Sequence, residues 1–336
     1  IKKMKNKKIL LVGGCGFIGH NLAINLVKRG HSPIIVDSLS INNIYSSDNF
    51  EVKNQKLYKL ILESRIDLLK KNNIDLKVQD ARQYHEVSEL YEKINPDIII
   101  HLAAVSHANR SNKDPHTTFD HSLRTLENTL DFAKTNKTHV IYMSSSMVYG
   151  NFDTREVDED SKCNPIGIYG TLKYAGELMV KAYQQVFDLP YTIIRPSALY
   201  GERCVSRRVG QIFIENAIQG LEININGDGE DKLDFTYIED LVSGISECCT
   251  NKNAINETFN ITFGNSRKIN DLISILKKEF PKINVSYKDK EKFMPERGTL
   301  KINKAKRLLN FSSKNSIEVG YLKYIAWYKN FWKEIK

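Results

Sequence analysis

The chain has 336 residues, 41% of them hydrophobic and 26% charged, with a formal net charge of +9. That length suits one large domain with a smaller lobe, and no apolar run approaches the roughly 20 residues of a membrane-spanning helix. The excess Lys is mixed with Glu and Asp, as in Lys288–Lys292, and no basic run interleaves with aromatics, so neither nucleic acid nor membrane is an expected partner.

The basic start, Lys2, Lys3, Lys5, Lys7 and Lys8, resembles that of a signal peptide. The apolar stretch after it is short and runs straight into glycines, with no cleavage site. Lys8–Val12 reads as a buried strand. Residues 17–29 read as a helix with Ile18, Leu22, Ile24, Leu26 and Val27 at helical spacing, ended by Gly30. Pro33–Val36 is the next strand, 54–72 an added helix and Asp75–Val78 a strand. Asp97–His101 and His139–Met143 are strands, 116–135 and 169–187 helices, and Tyr191–Ile194 a strand. Repeated β-α-β with continuous apolar strands predicts an α/β fold, a doubly wound parallel sheet of the Rossmann type with helices on both faces.

After Arg195 the rhythm breaks. A loop rich in Arg and Ser at 201–210 precedes a helix near 210–219, and Asn226–Gly229 reads as a turn. Phe235–Ile238 and Thr258–Ile261 read as strands, and 269–280, 303–309 and the aromatic-rich Tyr321–Trp332 as helices. With no repeat and no low-complexity linker, the second lobe is expected to be interwoven with the first. Residues 1–197 with about 234–264 would form the nucleotide-binding domain, and 198–233 with 265–336 the substrate lobe. The five cysteines, Cys15, Cys163, Cys204, Cys248 and Cys249, are odd in number and lack CxxC spacing. Neither a disulfide framework nor a metal site is expected, and a reducing cytoplasm is the expected compartment.

Two groups of residues carry chemistry. Gly13, Gly16 and Gly19 are spaced GxxGxxG between the first strand and the first helix. A dinucleotide diphosphate needs a tight turn, a backbone bare enough to approach, and the positive end of a helix dipole. Asp37, at the end of the second strand, can accept both ribose hydroxyls of an adenosine and repels an added phosphate. No Arg or Lys follows at Ser38–Ser40, so NAD is expected rather than NADP. Downstream stand Ser144–Ser146 and then Tyr169-Gly-Thr-Leu-Lys173, with Tyr and Lys one helical turn apart. A tyrosine with an ordinary pKa of about 10 is a poor base, and a neighbouring ammonium together with the positive nicotinamide favours the phenolate. Ser145 would hydrogen-bond the reacting hydroxyl and later the carbonyl.

On these motifs the chain resembles the extended short-chain dehydrogenase/reductases, the NAD-dependent epimerase/dehydratase family. The likeness also takes in Asp80-Ala-Arg82, His101–Ala104, Ser144–Gly150, Arg195–Gly201, Leu233–Asp240 and Pro295–Gly298, in the family's order and over nearly the whole chain. It implies Ser145, Tyr169 and Lys173 as the catalytic residues. In the cofactor site it implies Gly13, Gly16, Phe17, Ile18 and Gly19, then Asp37 and Ser38, with Asp80 and Ala81 at the adenine. Leu102, Ala103 and Ala104 would line the groove, Ser122 would sit beside it, Lys173 would also bind the nicotinamide ribose, and Pro196 would flank the nicotinamide. It further implies a homodimer packed through the helices near 116–135 and 169–187.

The resemblance implies oxidation at a carbon of a nucleotide-activated sugar, usually C4. The 4,6-dehydratases place Asp-Glu right after the catalytic Ser or Thr, and the uronate decarboxylases carry Glu at the second of those positions. Here the two are Ser146 and Met147, so dehydration and decarboxylation are disfavoured. A 3,5-epimerase would need an acid/base pair, for which Cys204 or His107 offers no evident partner. A 4-epimerase is the leading expectation, supported by an insert between Asp37 and Val78 similar to that of the uronate 4-epimerase branch. The alternatives are a net 4-dehydrogenase that releases the keto sugar and, from another class, a non-catalytic NAD-binding regulatory protein. The family's phosphate-binding Asn is Ala198 here, and the Arg before its Asp-Phe/Tyr motif is Leu233. Arg203, Arg207, Arg208 and Arg297 are the cations expected near the diphosphate of a UDP- or GDP-sugar. Ser106, His107, Asn109, Ser146 and Met147 are expected near the sugar.

Overall fold

A computed structural model describes residues 6–49, 54–106, 108–290 and 295–334. Seven parallel strands form the central sheet: β1 (Lys8–Val12), β2 (Ser32–Asp37), β3 (Asp75–Val78), β4 (Ile98–His101), β5 (His139–Met143), β6 (Tyr191–Arg195) and β7 (Glu257–Asn260). Their order across the sheet is β7-β6-β5-β4-β1-β2-β3. The order reverses beside β1, and the carboxyl ends of β1 and β4 open there into a crevice, the usual ligand site of such sheets. The inner strands are apolar on both faces because helices cover both: Ile9, Leu10, Leu11 and Val12 are all fully buried.

The helices that position the site are α1 (Phe17–Lys28), α2 (Gln55–Lys71), α3 (Tyr84–Ile94), α4 (Thr125–Asn136), α5 (Gly167–Phe187), α6 (Val209–Gln219), α7 (Ile238–Thr250) and α8 (Ile317–Lys333). The stretch read as one helix at 116–135 runs from Pro115 to Asn136, with a π-turn at Asp120–Arg124 just before α4. The segment read as a strand at Phe235–Ile238 is extended only at Thr236–Tyr237, which pairs with Leu199–Tyr200. Ile238 already begins α7, whose acidic first turn (Glu239, Asp240) suits a helix start and whose Leu241, Val242, Ile245, Cys248 and Cys249 are buried. A fully buried aliphatic side chain of this kind contributes roughly 1.5–3 kcal/mol.

The C-terminal segments form small parallel pairs with earlier ones. Ile223–Asn226 pairs with Val285–Lys288, and Glu156–Val157 pairs with Thr299–Leu300. The second pair ties the chain beyond Pro295 to the loop that follows β5, and Gly298 is required there because a Cβ would lie 2.2 Å from the Arg155 carbonyl. A seam of tyrosines, Tyr200, Tyr237, Tyr321, Tyr324 and Tyr328, packs α8 against this region. All five cysteines are free thiols. No helix among the described residues is long and apolar enough to cross a membrane.

Candidate active site

The glycine turn fits a diphosphate. Gly13 has φ +79°, and a Cβ on it would lie 2.7 Å from the Ala103 backbone, so only glycine lets β1 and the strand-end segment 102–104 approach this closely. At Gly16 a Cβ would meet only the Gly13 carbonyl, at 3.4 Å, and it would occupy open groove. Gly16 also caps α1, with no side-chain hydrogen bond and no acid in the first turn. The first N–H groups of α1 therefore meet no competing side chain, and their dipole favours an anion.

One cleft runs from this turn along the strand ends. Gly13, Gly16, Phe17, Ile18 and Gly19 line it together with Asp37 and Ser38 on one side, and Asp80 with Ala81 below. Leu102, Ala103, Ala104 and Ser106 form the opposite wall. The Asp37 carboxylate accepts the Cys15 and Leu39 backbone N–H groups at 2.9 and 2.7 Å, which fixes its rotamer. Burial pushes the Asp37 pKa up, and those N–H groups and the Arg65 charge oppose the rise. The Asp80 carboxylate is already gripped by Arg82, with Nε at 3.0 and 3.1 Å and Nη2 at 2.6 Å. The cleft thus fits a dinucleotide with an acid at the adenosine ribose.

The docking of α5 on the end of β5 brings Lys173 and Glu177 to the Met143–Ser145 strand end, with Tyr169 one helical turn before Lys173 on α5. The Lys173 ammonium donates to the Met143 carbonyl at 2.7 Å, and the Ser144 hydroxyl donates to Glu177 at 2.5 Å. Gly170 lets the helix close in, since a Cβ there would lie 2.8 Å from the Met147 carbonyl. Ser145 is buried, and its Oγ accepts the Met147 N–H at 3.2 Å, capping a 3-10 turn over Ser146–Tyr149. Burial pushes the Lys173 pKa down to about 8, and Glu177, one turn further along α5, opposes the fall. Glu177 is itself fully buried and paired with Arg195, at 2.9 Å to Nε and 2.7 Å to Nη2. Pro196 is buried beside this turn, its carbonyl accepting the Ser146 N–H at 2.9 Å.

The four expected substrate cations part company. Arg208 lines the cleft and donates to the Ser106 carbonyl at 3.3 Å. Arg297 reaches the Ser146 hydroxyl at 3.5 Å, and its Nε is buried with no acceptor among the described residues. Burial and the neighbouring Arg208 push the Arg297 pKa down to about 10. Arg203 instead turns away, stacking over Trp327 at 5.7 Å, and Arg207 is exposed. Ser122 is buried in the π-turn and does not line the cleft. Asn109 is exposed in the short helix Ala108–Lys113. Cys204 is buried against Ser206, at 3.0 Å, within the hydrophobic core. His107 lies outside the described residues.

Further residues line the cleft that no motif points to, among them Arg65 from α2, and His121 and Thr125 from the turn before α4 and its first residue. Nothing in the local sequence signals them; they arrive by tertiary packing. Among the described residues no group of three His, Cys, Asp or Glu could hold a metal ion.

Residues 9–262 match the model of the NAD dependent epimerase/dehydratase family. A putative UDP-glucose 4-epimerase of Methanocaldococcus jannaschii is 29% identical, over 96% of this chain and 98% of its own. A UDP-glucuronic acid 4-epimerase from Bacillus cereus, solved with UDP-glucuronic acid and NAD, superposes with a TM-score of 0.86 at 27% identity, covering 96% and 99% of the two chains. A UDP-glucose 4-epimerase from Thermotoga maritima, solved with UDP-glucose, gives a TM-score of 0.84 at 26% identity, covering 98% and 100%.

Proposed function

This chain belongs to the NAD-dependent epimerase/dehydratase family and is an NAD-dependent enzyme of nucleotide-sugar modification; from that premise we propose that it is a UDP-sugar 4-epimerase. The observation that carries the reading is the composition of the β5 turn. Lys173 is hydrogen-bonded to the Met143 carbonyl two residues before Ser145, Tyr169 precedes Lys173 by one turn of α5, and the two positions after Ser145, Ser146 and Met147, hold no group able to move a proton. Oxidation at C4 is provided for, and the elimination of water or carbon dioxide is not.

Tyr169 takes the proton from the C4 hydroxyl and Ser145 hydrogen-bonds the same oxygen, so the oxygen keeps a donor as it becomes a carbonyl. Lys173, fixed by the Met143 carbonyl, holds its positive charge one helical turn from Tyr169. Asp37 and the backbone around Gly13–Gly19 hold NAD, which when bound supplies the hydride acceptor and later the donor at C4. Arg208 and Arg297 bind the anionic part of the substrate, for which guanidinium forks are suited. Tyr169 then returns its proton to the inverted alkoxide.

The relatives' UDP-linked ligands favour uridine over guanosine. The cofactor domain comprises 1–197 with about 234–264, and the remainder is the substrate lobe. A homodimer through α5 and the segment preceding α4 would cover Phe119, Leu178, Val186 and Phe187, which are 46, 50, 70 and 39% exposed. Five free thiols suit the cytoplasm. Incubating the holoenzyme with UDP-glucose or UDP-glucuronic acid and following the products by NMR tests the reading. Formation of the C4-inverted sugar without net NADH supports it; release of a 4-keto sugar assigns a dehydrogenase instead.

A further inference from the structure

The insert helix α2 carries Arg65, one of the largest fully buried side chains of the protein, at 1% exposure. Burying a guanidinium is unfavourable unless its charge and its N–H groups are answered. Both are. Nε and Nη2 donate to the carbonyl of Arg203 at 3.1 and 2.5 Å, a two-pronged grip on one oxygen. Arg65 also lines the cleft and stands within electrostatic reach of Asp37, the acid at the end of β2. Burial brings its pKa to about 10, so it remains a cation at neutral pH.

The gripped carbonyl belongs to an unusual loop. Residues 201–208 contain two non-glycine residues in the left-handed region, Arg203 at φ 65° and Arg207 at φ 50°. Such positions persist where surrounding contacts over-determine them. Arg207 is held from within the lobe, its N–H donating to Gln211 at 3.0 Å. Arg203 is held from across the cleft, by Arg65. The loop ends at Arg208, the cation that lines the cleft beside Ser106.

We propose that Arg65 is a positioning residue that joins the two halves of the cleft, its charge facing the cofactor's acid and its guanidinium fork fixing the substrate loop through the Arg203 carbonyl. The insert helix thereby supplies a side chain that makes the order of loop 201–208 depend on the cofactor half, in addition to the Arg208 bond to Ser106 at the loop's end. The effect on turnover rests on the nucleotide-sugar reading above; the effects on the loop and on NAD do not.

Two variants separate the roles. Arg65→Lys keeps the charge near Asp37 but lacks the planar fork, and Arg65→Met loses both. In Arg65→Lys, NAD is retained as in the parent enzyme, amide hydrogen exchange across 201–208 rises, and KM for UDP-glucose rises about tenfold, the loss of one charge-assisted hydrogen bond, with the change in KM rather than kcat. In Arg65→Met, NAD dissociation is faster as well. The proposal is overturned if Arg65→Lys matches the parent in both exchange and KM, if the two variants release NAD equally, or if kcat and melting temperature fall together with no KM effect. Should the parent enzyme convert no UDP-sugar, the proposed function falls while exchange and NAD release still judge Arg65.

Discussion

Glu177→Gln removes one charge at the hub beneath the catalytic turn. Glu177 is fully buried, holds Arg195 through two bonds, accepts the Ser144 hydroxyl, and stands one turn from Lys173. The amide leaves the Arg195 cation buried and uncompensated, and breaking a buried pair from one side costs about 3–5 kcal/mol. For a chain of this size that is a fall in melting temperature of roughly 4–7 °C. The second effect is electrostatic. Glu177 opposes the downward shift of Lys173, whose pKa is about 8. Without it the ammonium is lost at lower pH, so the basic limb of the kcat profile, expected near pH 8 in the parent enzyme, moves toward neutrality. The sign for stability is separate. Lys173 has a folded pKa below its unfolded value of 10.5, so burial penalises its charged form. Its contribution to stability is least favourable below pH 8 and improves by about 3 kcal/mol as pH rises to 10.5. Calorimetric melting and a pH–rate series from pH 6 to 10 read both effects. A variant that melts within 1 °C of the parent and keeps its basic limb in place would refute the reasoning.

Three further outcomes are expected. Tyr169→Phe removes the proton-transfer group and lowers kcat by about 10²–10⁴-fold, while bound NAD, measured by absorbance after denaturation, is unchanged. Asp37 has a raised carboxyl pKa because it is buried; NAD affinity therefore weakens as pH falls through that raised value, the neutral acid being the poorer acceptor of ribose hydroxyls, and a fluorescence titration between pH 4 and 8 checks the direction. Leu178→Glu with Val186→Glu places charges on the exposed face of α5, and light scattering should report the shift from dimer to monomer with turnover per site reduced but present.

The inner strands of the cofactor half were legible because their runs are short and almost wholly apolar, and the edge strand β3 because its Leu76 and Val78 alternate with Asp75 and Lys77. β1, β3 and β5 lie where the residue pattern puts them, Lys8–Val12, Asp75–Val78 and His139–Met143. The glycine turn and the Tyr169–Lys173 pair were legible because their spacing is local. What was not legible depends on packing between distant segments. α7 was missed although Ile238, Leu241, Val242, Ile245, Cys248 and Cys249 recur at helical spacing, because the strand Thr236–Tyr237 runs straight into it with no loop to mark the helix start. Arg203 stands in an Arg-rich loop, which points to substrate binding, yet a left-handed backbone turns its side chain onto Trp327. Arg65 carries no signal in its own helix; its place is set by the carbonyl it meets 138 residues away.

The central claim is that one carbon, C4, is oxidised and reduced in place. UDP-glucose carrying deuterium at C4, incubated with the holoenzyme in ordinary water, tests this directly. The expected product is UDP-galactose with deuterium still at C4 and no label in solvent or at C3 or C5. Galactose lacking the label, or a labelled reduced cofactor leaving the protein beside a 4-keto sugar, would contradict it.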